Sequence, residues 1–445
     1  VSSQVETKSG SITSVQSAAV SSGVSLRRCL ELAEKNFPKI REAKAKRAQQ
    51  QALVDVAKYA PFSGFSISGG LALAPTVSGT ADYSRSTDTS LTRNMGLGWE
   101  ASIEGAVPLY TFGKMTHAVD AAEAGARVGR SEIEKERNEL RLNVRKSYYG
   151  VLFARDALDL IDDAASEIDK HINKLKKDVE NGDGDDIELL KIQVFRSDLT
   201  VRRSEAVKQE AIALSVLRFL TGQDERLDVP NEPLIVESRQ LEPLSEYLAI
   251  ARIHRPELGM ARAGIEARKS QVKLETSKLF PDLGLGLSAN YRRAPEVTDQ
   301  KNPYIKDSGN YLTLSAALVL KYKLDFMPQR ARLSQAKSQL DEMIATEQWA
   351  KSGIAQQVTE AYATVRDAET RLVTLGEGVK LAKQWMLKVQ QGIDVGTMDD
   401  SDIVMPAKEY ALKRFAEMNA IYDYNVALAK LSQTTGLETR DALEK

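Results

Sequence analysis

The chain has one cysteine, Cys29, in 445 residues. That excludes a disulfide framework within one chain and a cysteine zinc site, so Cys29 reads as a small apolar helix residue. It does not stand at the start of this sequence, so it is not expected to be a lipoprotein anchor. Proline is scarce, at 13 residues, and aromatics make up 6%. This is the composition of long helices, which proline breaks, more than of a compact globular enzyme. There are three histidines, His117, His171 and His254, scattered over helical patterns. No glycine-rich phosphate loop, nucleophile elbow or metal-ligand spacing accompanies them. The expectation is no enzyme, no cofactor and no metal. Neither sign of charge dominates: 61 basic against 62 acidic residues give a net charge of −1, which offers no basic surface to nucleic acid. No apolar run approaches the ~20 residues of a transmembrane helix. That absence leaves a β-barrel open, because its signature is much weaker. The chain begins at Val1, which fits a mature protein whose signal peptide has been removed.

What is present is a repeat. At an offset of 214, VRKSYYGVLFARDA (Val144–Ala157) lies over VTEAYATVRDAETR (Val358–Arg371), and ALSVLRFLTG, ending at Gly222, lies over ALAKLSQTTG, ending at Gly436. Near the front of each half the offset is about 218: CLELAEKNFPKI lies over YLAIARIHRPEL, with Pro38 on Pro256. The chain divides accordingly into a tail (1–24), a first repeat (25–222), a linker (223–242), a second repeat (243–437) and a short tail (438–445). Leu158, Ile161, Ala165, Ile168, Ile172, Leu175 and Val179 are spaced 3-4-3-4, as are Leu372, Leu375, Val379, Ala382, Met386, Val389 and Ile393. Both are coiled-coil seams. Segments 113–181 and 328–394 predict helices on the order of 100 Å long at ~1.5 Å per residue. Each is followed by a Gly and a knot of acids, ENGDGDDIELL (from Glu180) and DVGTMDDSDIV (from Asp394). These are expected to be the tips of two helical hairpins, near 182–187 and 395–402, at the same end of the molecule.

Before each hairpin the period changes to two. Strands are expected over about 62–75, 94–110, 281–293 and 310–324. One face would hold Phe65, Ile67, Leu71, Leu97, Trp99, Leu285, Leu287, Leu312, Leu314 and Leu318; the other is mostly Gly and Ser, with Glu100 and Glu104 facing water. Segments 75–93 and 293–310 read as long polar loops. Such strands form either a small soluble sandwich or membrane-spanning strands, which need ~9–11 residues with apolar side chains outward. Four strands close no usable barrel, and an open edge does not face lipid. Membrane strands would therefore be shared between chains, and three chains would give twelve.

Two helical hairpins, two strand hairpins, an internal repeat and Gly-acid tips together resemble the TolC family of outer-membrane efflux proteins, over roughly residues 25–437. Three signatures carry the resemblance. VPLYTFGK (Val107–Lys114) resembles the family's strand-to-helix junction, echoed by KYKLDFMPQ (Lys321–Gln329). VGTMDDSDI (Val395–Ile403) resembles its tip, with an Asp six residues after the Gly. LRFLTG and LSQTTG resemble its helix-ending Leu…Thr-Gly. The resemblance implies a mainly α fold with a membrane β-barrel: a homotrimer with a shared twelve-stranded barrel in the outer membrane and an α-barrel tunnel crossing the periplasm. It also implies docking to a periplasmic adaptor and, through it, to an inner-membrane RND or ABC transporter, in drug efflux or type I secretion.

In a trimer each inward acid becomes a ring of three, which favours cations and excludes anions. Asp402 matches the family's tip aspartate and Glu188 is its repeat partner; Asp399, Asp400, Asp185 and Asp186 lie nearer the turns. Val395, Gly396, Thr397, Asn181 and Gly182 form the turns where an adaptor would dock. The same residues also serve as ordinary helix ends: Ser401 or Asp400 as N-cap, Gly396 as C-cap. The family's type member has a Tyr three residues before the tip Gly, an Arg two after it and a second Asp. Here those positions hold Ile393, Met398 and Met405. NGDGDDIELL lacks the Gly and Glu positions of a calcium loop. The competing class is a soluble helical scaffold with a small β domain, which would bury Leu285 and Leu314 in its own core.

Overall fold

A computed structural model describes residues 23–62, 64–78, 88–181, 186–223, 226–295, 307 and 309–438. Gly182 and Asp185 fall outside them, as does the tail up to residue 22. In chain order the elements are α1 (Leu26–Asn36), α2 (Pro38–Tyr59), β1 (Ser66–Ser78), β2 (Asp88–Tyr110), α3 (Lys114–Glu180), α4 (Asp186–Thr221), α5 (Leu244–His254), α6 (Pro256–Ser277), β3 (Asp282–Arg293), β4 (Tyr311–Lys321), α7 (Phe326–Asp394) and, after a 3₁₀ turn at Asp400–Ile403, α8 (Val404–Thr435).

The repeat governs these bounds. α5 starts and ends 218 residues after α1, and α6 does the same after α2. α7 ends 214 after α3; the 3₁₀ turn and α8 begin and end 214 after α4. The change of offset falls where the strands lie. The reasons for the boundaries repeat too. Pro38 and Pro256 cannot extend α1 or α5 but suit a first helical turn. Gly222 and Gly436 close α4 and α8 at positive φ, +61° and +72°, a region that a Cβ makes costly.

The chain folds as two compact units. The first comprises residues through Phe37, Glu139–Leu241 and Ala361–Leu431. Here the seam residues of α3 and α7 are buried or half-buried as their spacing predicts. Ala157, Ile161 and Ala165 of α3 form a core with Leu199 and Ala206 of α4, with Phe195 and Phe415 against it. A fully buried Leu or Ile contributes about 1.5–3 kcal/mol. Across α3 and α4 the pairs Arg203–Asp162 (2.7 Å) and Arg196–Asp169 (2.8 Å) are exposed and contribute little, about 0–1 kcal/mol each. Cys29 is fully buried, and burial pushes its thiol up to about 11, so it stays protonated and inert.

The linker after Arg226 joins no helix or sheet, so side chains satisfy its backbone. Arg155 of α3 donates to the Val229 carbonyl (2.6 Å), Asp228 (2.6 Å) and Glu210 of α4 (2.7 Å). Asp156 accepts the Leu234 N–H (2.9 Å). The buried Asn425 of α8 accepts the Glu237 N–H (2.9 Å) and donates to the Ile235 carbonyl (2.8 Å). Tyr148 and Tyr149 donate to Glu232 and Glu237.

The second unit comprises Pro38–Asn138, Glu242–Glu360 and the chain from Ser432. Its sheet is antiparallel in the order β1-β2-β3-β4. The described residues of the expected first loop, 75–78 and 88–93, are strand instead: past a bulge at Pro75/Thr76, backbone pairing continues from Thr76↔Ser90 to Ser78↔Asp88. Pro75 lacks an N–H, so the ladder breaks there; the Ser- and Thr-rich residues beyond carry no alternating apolar signal and read as loop.

Candidate functional site

The candidate functional residues lie in two places, the hairpin tips and the strand face. At the second tip, Gly396 takes φ +75°. Its N–H reaches the Ile393 carbonyl (3.0 Å) and the Thr397 N–H reaches the Gly392 carbonyl (2.9 Å). This bond pair is the Schellman ending of a helix. Met398 lies over Gly392, at which a Cβ would come 2.8 Å from its sulfur. Val395 stands 73% exposed at the turn.

The acids then start the next helix. The Asp402 carboxylate accepts the Asp399 N–H (3.1 Å), and the Asp402 N–H returns to the Asp399 carbonyl (3.0 Å). The first bond is the side-chain half of a capping box, and the second is a backbone bond of 3₁₀ type. The side chains of the expected caps, Ser401 and Asp400, fall outside the described residues. Asp402 and Asp399 are both exposed. At the first tip α3 ends at Glu180, the Asn181 N–H bonds to the Lys177 carbonyl (3.0 Å), and α4 starts with Asp186 and Glu188 in its first turn. Acids there complement the helix dipole. Asp186 is exposed and Glu188 half-buried.

In the sheet, register puts the four period-two patterns on one face, because directly paired residues share a side. Ile67 pairs with Ile103, Leu71 with Trp99, Leu73 with Leu97, Leu285 with Leu318, Ala289 with Leu314 and Tyr291 with Leu312. β2 and β3 join these pairs across the centre, Ile103 opposite Ala289. Ile67, Leu71, Leu314 and Leu318 are 71–79% exposed, and Phe65, Leu97, Trp99, Leu287 and Leu312 are also exposed. Leu285 is half-buried. No core covers this face among the described residues. The other face carries Ser68 bonded to Ser102 (2.7 Å) and Glu100 opposite Arg292. Among the described residues the outer edges of β1 and β4 have no strand partner.

The sheet is joined to the helices by fixed corners. After β2, Phe112 and Gly113 both take positive φ, +51° and +82°, and Phe112 stacks on Phe280 (5.1 Å). Lys114 then bonds to the Phe280 carbonyl (2.8 Å) and Asp282 (2.7 Å). After β4, buried Gln329 bonds to the backbone and side chain of Glu275 (both 2.9 Å).

The model of the family described as outer membrane efflux protein matches residues 29–223 and 248–437. The chain belongs to that family. The two matched stretches are the two repeats, and the stretch between them contains the linker. Among curated relatives, the outer membrane protein TolC of Vibrio cholerae is 23% identical over 383 residues, covering 84% of each chain. The alkaline protease secretion protein AprF of Pseudomonas aeruginosa is 22% identical over 329 residues, covering 72% of this chain and 66% of that one. Among solved structures, the Campylobacter jejuni outer membrane channel CmeC superposes with a TM-score of 0.74 at 14% identity, over 94% of this chain and 88% of that one. This efflux protein is therefore an outer-membrane channel component of an efflux or type I secretion system, with a large periplasmic portion.

Sequence reasoning missed the linker clamp. Arg155 was its one signal, a cation in the apolar run VLFARDALDL. Asn425 gave none, because its partners are backbone groups 188 and 190 residues away.

Proposed function

We propose that three copies of the chain form one passive exit duct. Each contributes four strands to a twelve-stranded barrel, with Phe65, Ile67, Leu71, Leu97, Trp99, Leu285, Leu287, Leu312, Leu314 and Leu318 toward lipid. A periplasmic adaptor and an inner-membrane RND or ABC transporter hand substrates to it. The adaptor docks at the tip turns, Val395–Thr397 and Asn181. Asp402 and Glu188, with Asp399 and Asp186, form acidic rings at the constriction. The exposed apolar strand face, between edges unpaired among the described residues, carries this reading. A soluble scaffold would hide that face, whereas a shared barrel gives it lipid and gives each edge a partner. The acids support the constriction by their place at two equivalent helix starts.

Single-particle images of detergent-extracted protein test the assembly. A threefold tube with a barrel at one end is expected; a monomer without a lumen refutes it. Planar-bilayer conductance tests the tips. Asp402→Asn with Glu188→Gln is expected to weaken block by divalent cations and lower cation preference. Unchanged block removes these acids from the pore.

A further inference from the structure

Between α5, the start of α6 and the middle of α7 lies a cavity of about 480 Å³ with no acidic residue in its lining. Leu248, Leu258 and Ile354 form its apolar wall, and Arg252, Arg262 and Lys351 stand around it. The repeat explains why it is open. In the first half, Arg141 of α3 bonds to Glu34 of α1 (2.6 Å), both side chains largely buried. The residue 218 after Glu34 is Arg252, and the residue 214 after Arg141 is Ala355, which also lines the cavity. One partner has changed sign and the other has lost its side chain. The cavity is left with cations: among the described residues neither Arg252 nor Arg262 has an acidic partner, while Lys351 pairs with Glu347 (2.8 Å). Arg262 is held at the rim by donating to the Arg252 carbonyl (2.8 Å) near the end of α5.

We propose that this cavity binds a small anionic amphiphile: one carboxylate or sulfonate on an apolar body of about naphthalene size. The planar guanidinium forks of Arg252 and Arg262 suit a two-oxygen anion. The leucine and isoleucine wall takes the body, as in other pockets of this size. A recessed cavity of this volume takes a small molecule, where a partner protein would need a broader face.

The test uses the full chain in amphipol, so that no micelle competes for the probe. Naphthalene-2-sulfonate, its neutral alcohol analogue and naphthylmethylammonium are compared by equilibrium dialysis. Saturable binding of the sulfonate at one site per chain is expected, at least about tenfold tighter than the other two. Arg252→Glu or Arg262→Glu is expected to weaken it at least about tenfold. The decisive variant combines Arg252→Glu with Ala355→Arg, which rebuilds the ion pair of the first half and fills the space. It should abolish binding while circular dichroism and mass by light scattering stay as in the parent. Equal binding of the ammonium probe, or undiminished binding in the double variant, overturns the proposal. A changed mass in the double variant also overturns it, since the cavity is then a contact between copies. Arg252→Lys serves as the conservative control and should retain most of the affinity.

Discussion

Placing a lysine at Leu314 and, separately, at Ser315 separates a lipid face from a lumen face with neighbouring residues. Leu314 is 73% exposed on the apolar side of β4, and Ser315 points the other way. β4 runs from Tyr311 to Lys321, so its centre is Ala316 and Leu314 lies two residues away. At ~3.3 Å per residue and a tilt near ~45°, that is about 5 Å from the midplane. A lysine facing lipid costs about 2–4 kcal/mol at the midplane and about 0–1 near the interface, so about 2 kcal/mol is expected at this depth. Three copies raise this to about 6 kcal/mol per trimer, roughly four orders of magnitude in the assembled fraction. Leu314→Lys should therefore vanish from the outer-membrane fraction and from the trimer band of native gels, and Ser315→Lys should remain. Normal assembly of Leu314→Lys refutes the face assignment, and so does loss of Ser315→Lys alone.

Gly396→Val forces a β-branched side chain into positive φ and should destabilise the second tip by about 2 kcal/mol, read as faster hydrogen exchange of residues 393–403 with the rest unchanged. Arg155→Met leaves Glu210 and Asp228 unpaired. Between the ~3–5 kcal/mol of a buried pair and the ~1 of an exposed one, about 2 kcal/mol of linker protection should be lost. Burial alone would raise the Asp228 carboxyl, but the Arg155 guanidinium and the Val229 N–H outweigh it and hold it below the ordinary 3.8. Its contribution is thus present above pH ~4 and lost as pH falls through the lower folded value; exchange at residues 227–237 should quicken there in the parent and show no such step in Arg155→Met. Tyr148 is pushed up to about 12 by burial, then by Glu232. Its contribution holds below pH 10 and is lost as pH rises toward 12, so a spectrophotometric titration should find Tyr148 ionising late and Tyr148→Phe removing that phase.

The helices were legible because their signal is redundant. Seven apolar residues at 3-4 spacing in α3, repeated in α7, leave no other period, and Pro38, Pro256, Gly222 and Gly436 mark the ends. The strands were legible wherever one face is apolar and the other glycine or serine. Past Pro75 apolar residues are too sparse to alternate, Val77 in β1 and Leu91 in β2, so the paired backbone there left no pattern. The tip turn was legible at Gly396, whose conformation excludes most other residues. Its cap was not legible to the residue, since four oxygen-bearing residues, Asp399 to Asp402, all suit an N-terminus. The clamp on the linker was not legible, because it joins single polar side chains to backbone atoms far away in sequence. The cationic cavity emerges only when the two halves are compared position by position within known geometry.

The sheet, whose outer edges lack a strand partner among the described residues, has a genetic consequence. On the proposed closure no chain completes its own barrel, so folding of the strands and meeting of the subunits are one event. Insertion should then be of higher than first order in the local supply of chains. A variant with one edge blocked, for example by prolines along the outer side of β4, would still offer its β1 edge to a normal neighbour. It would trap normal chains in rings that cannot close. Such an allele would be dominant, and its harm would grow steeply with its share of the pool.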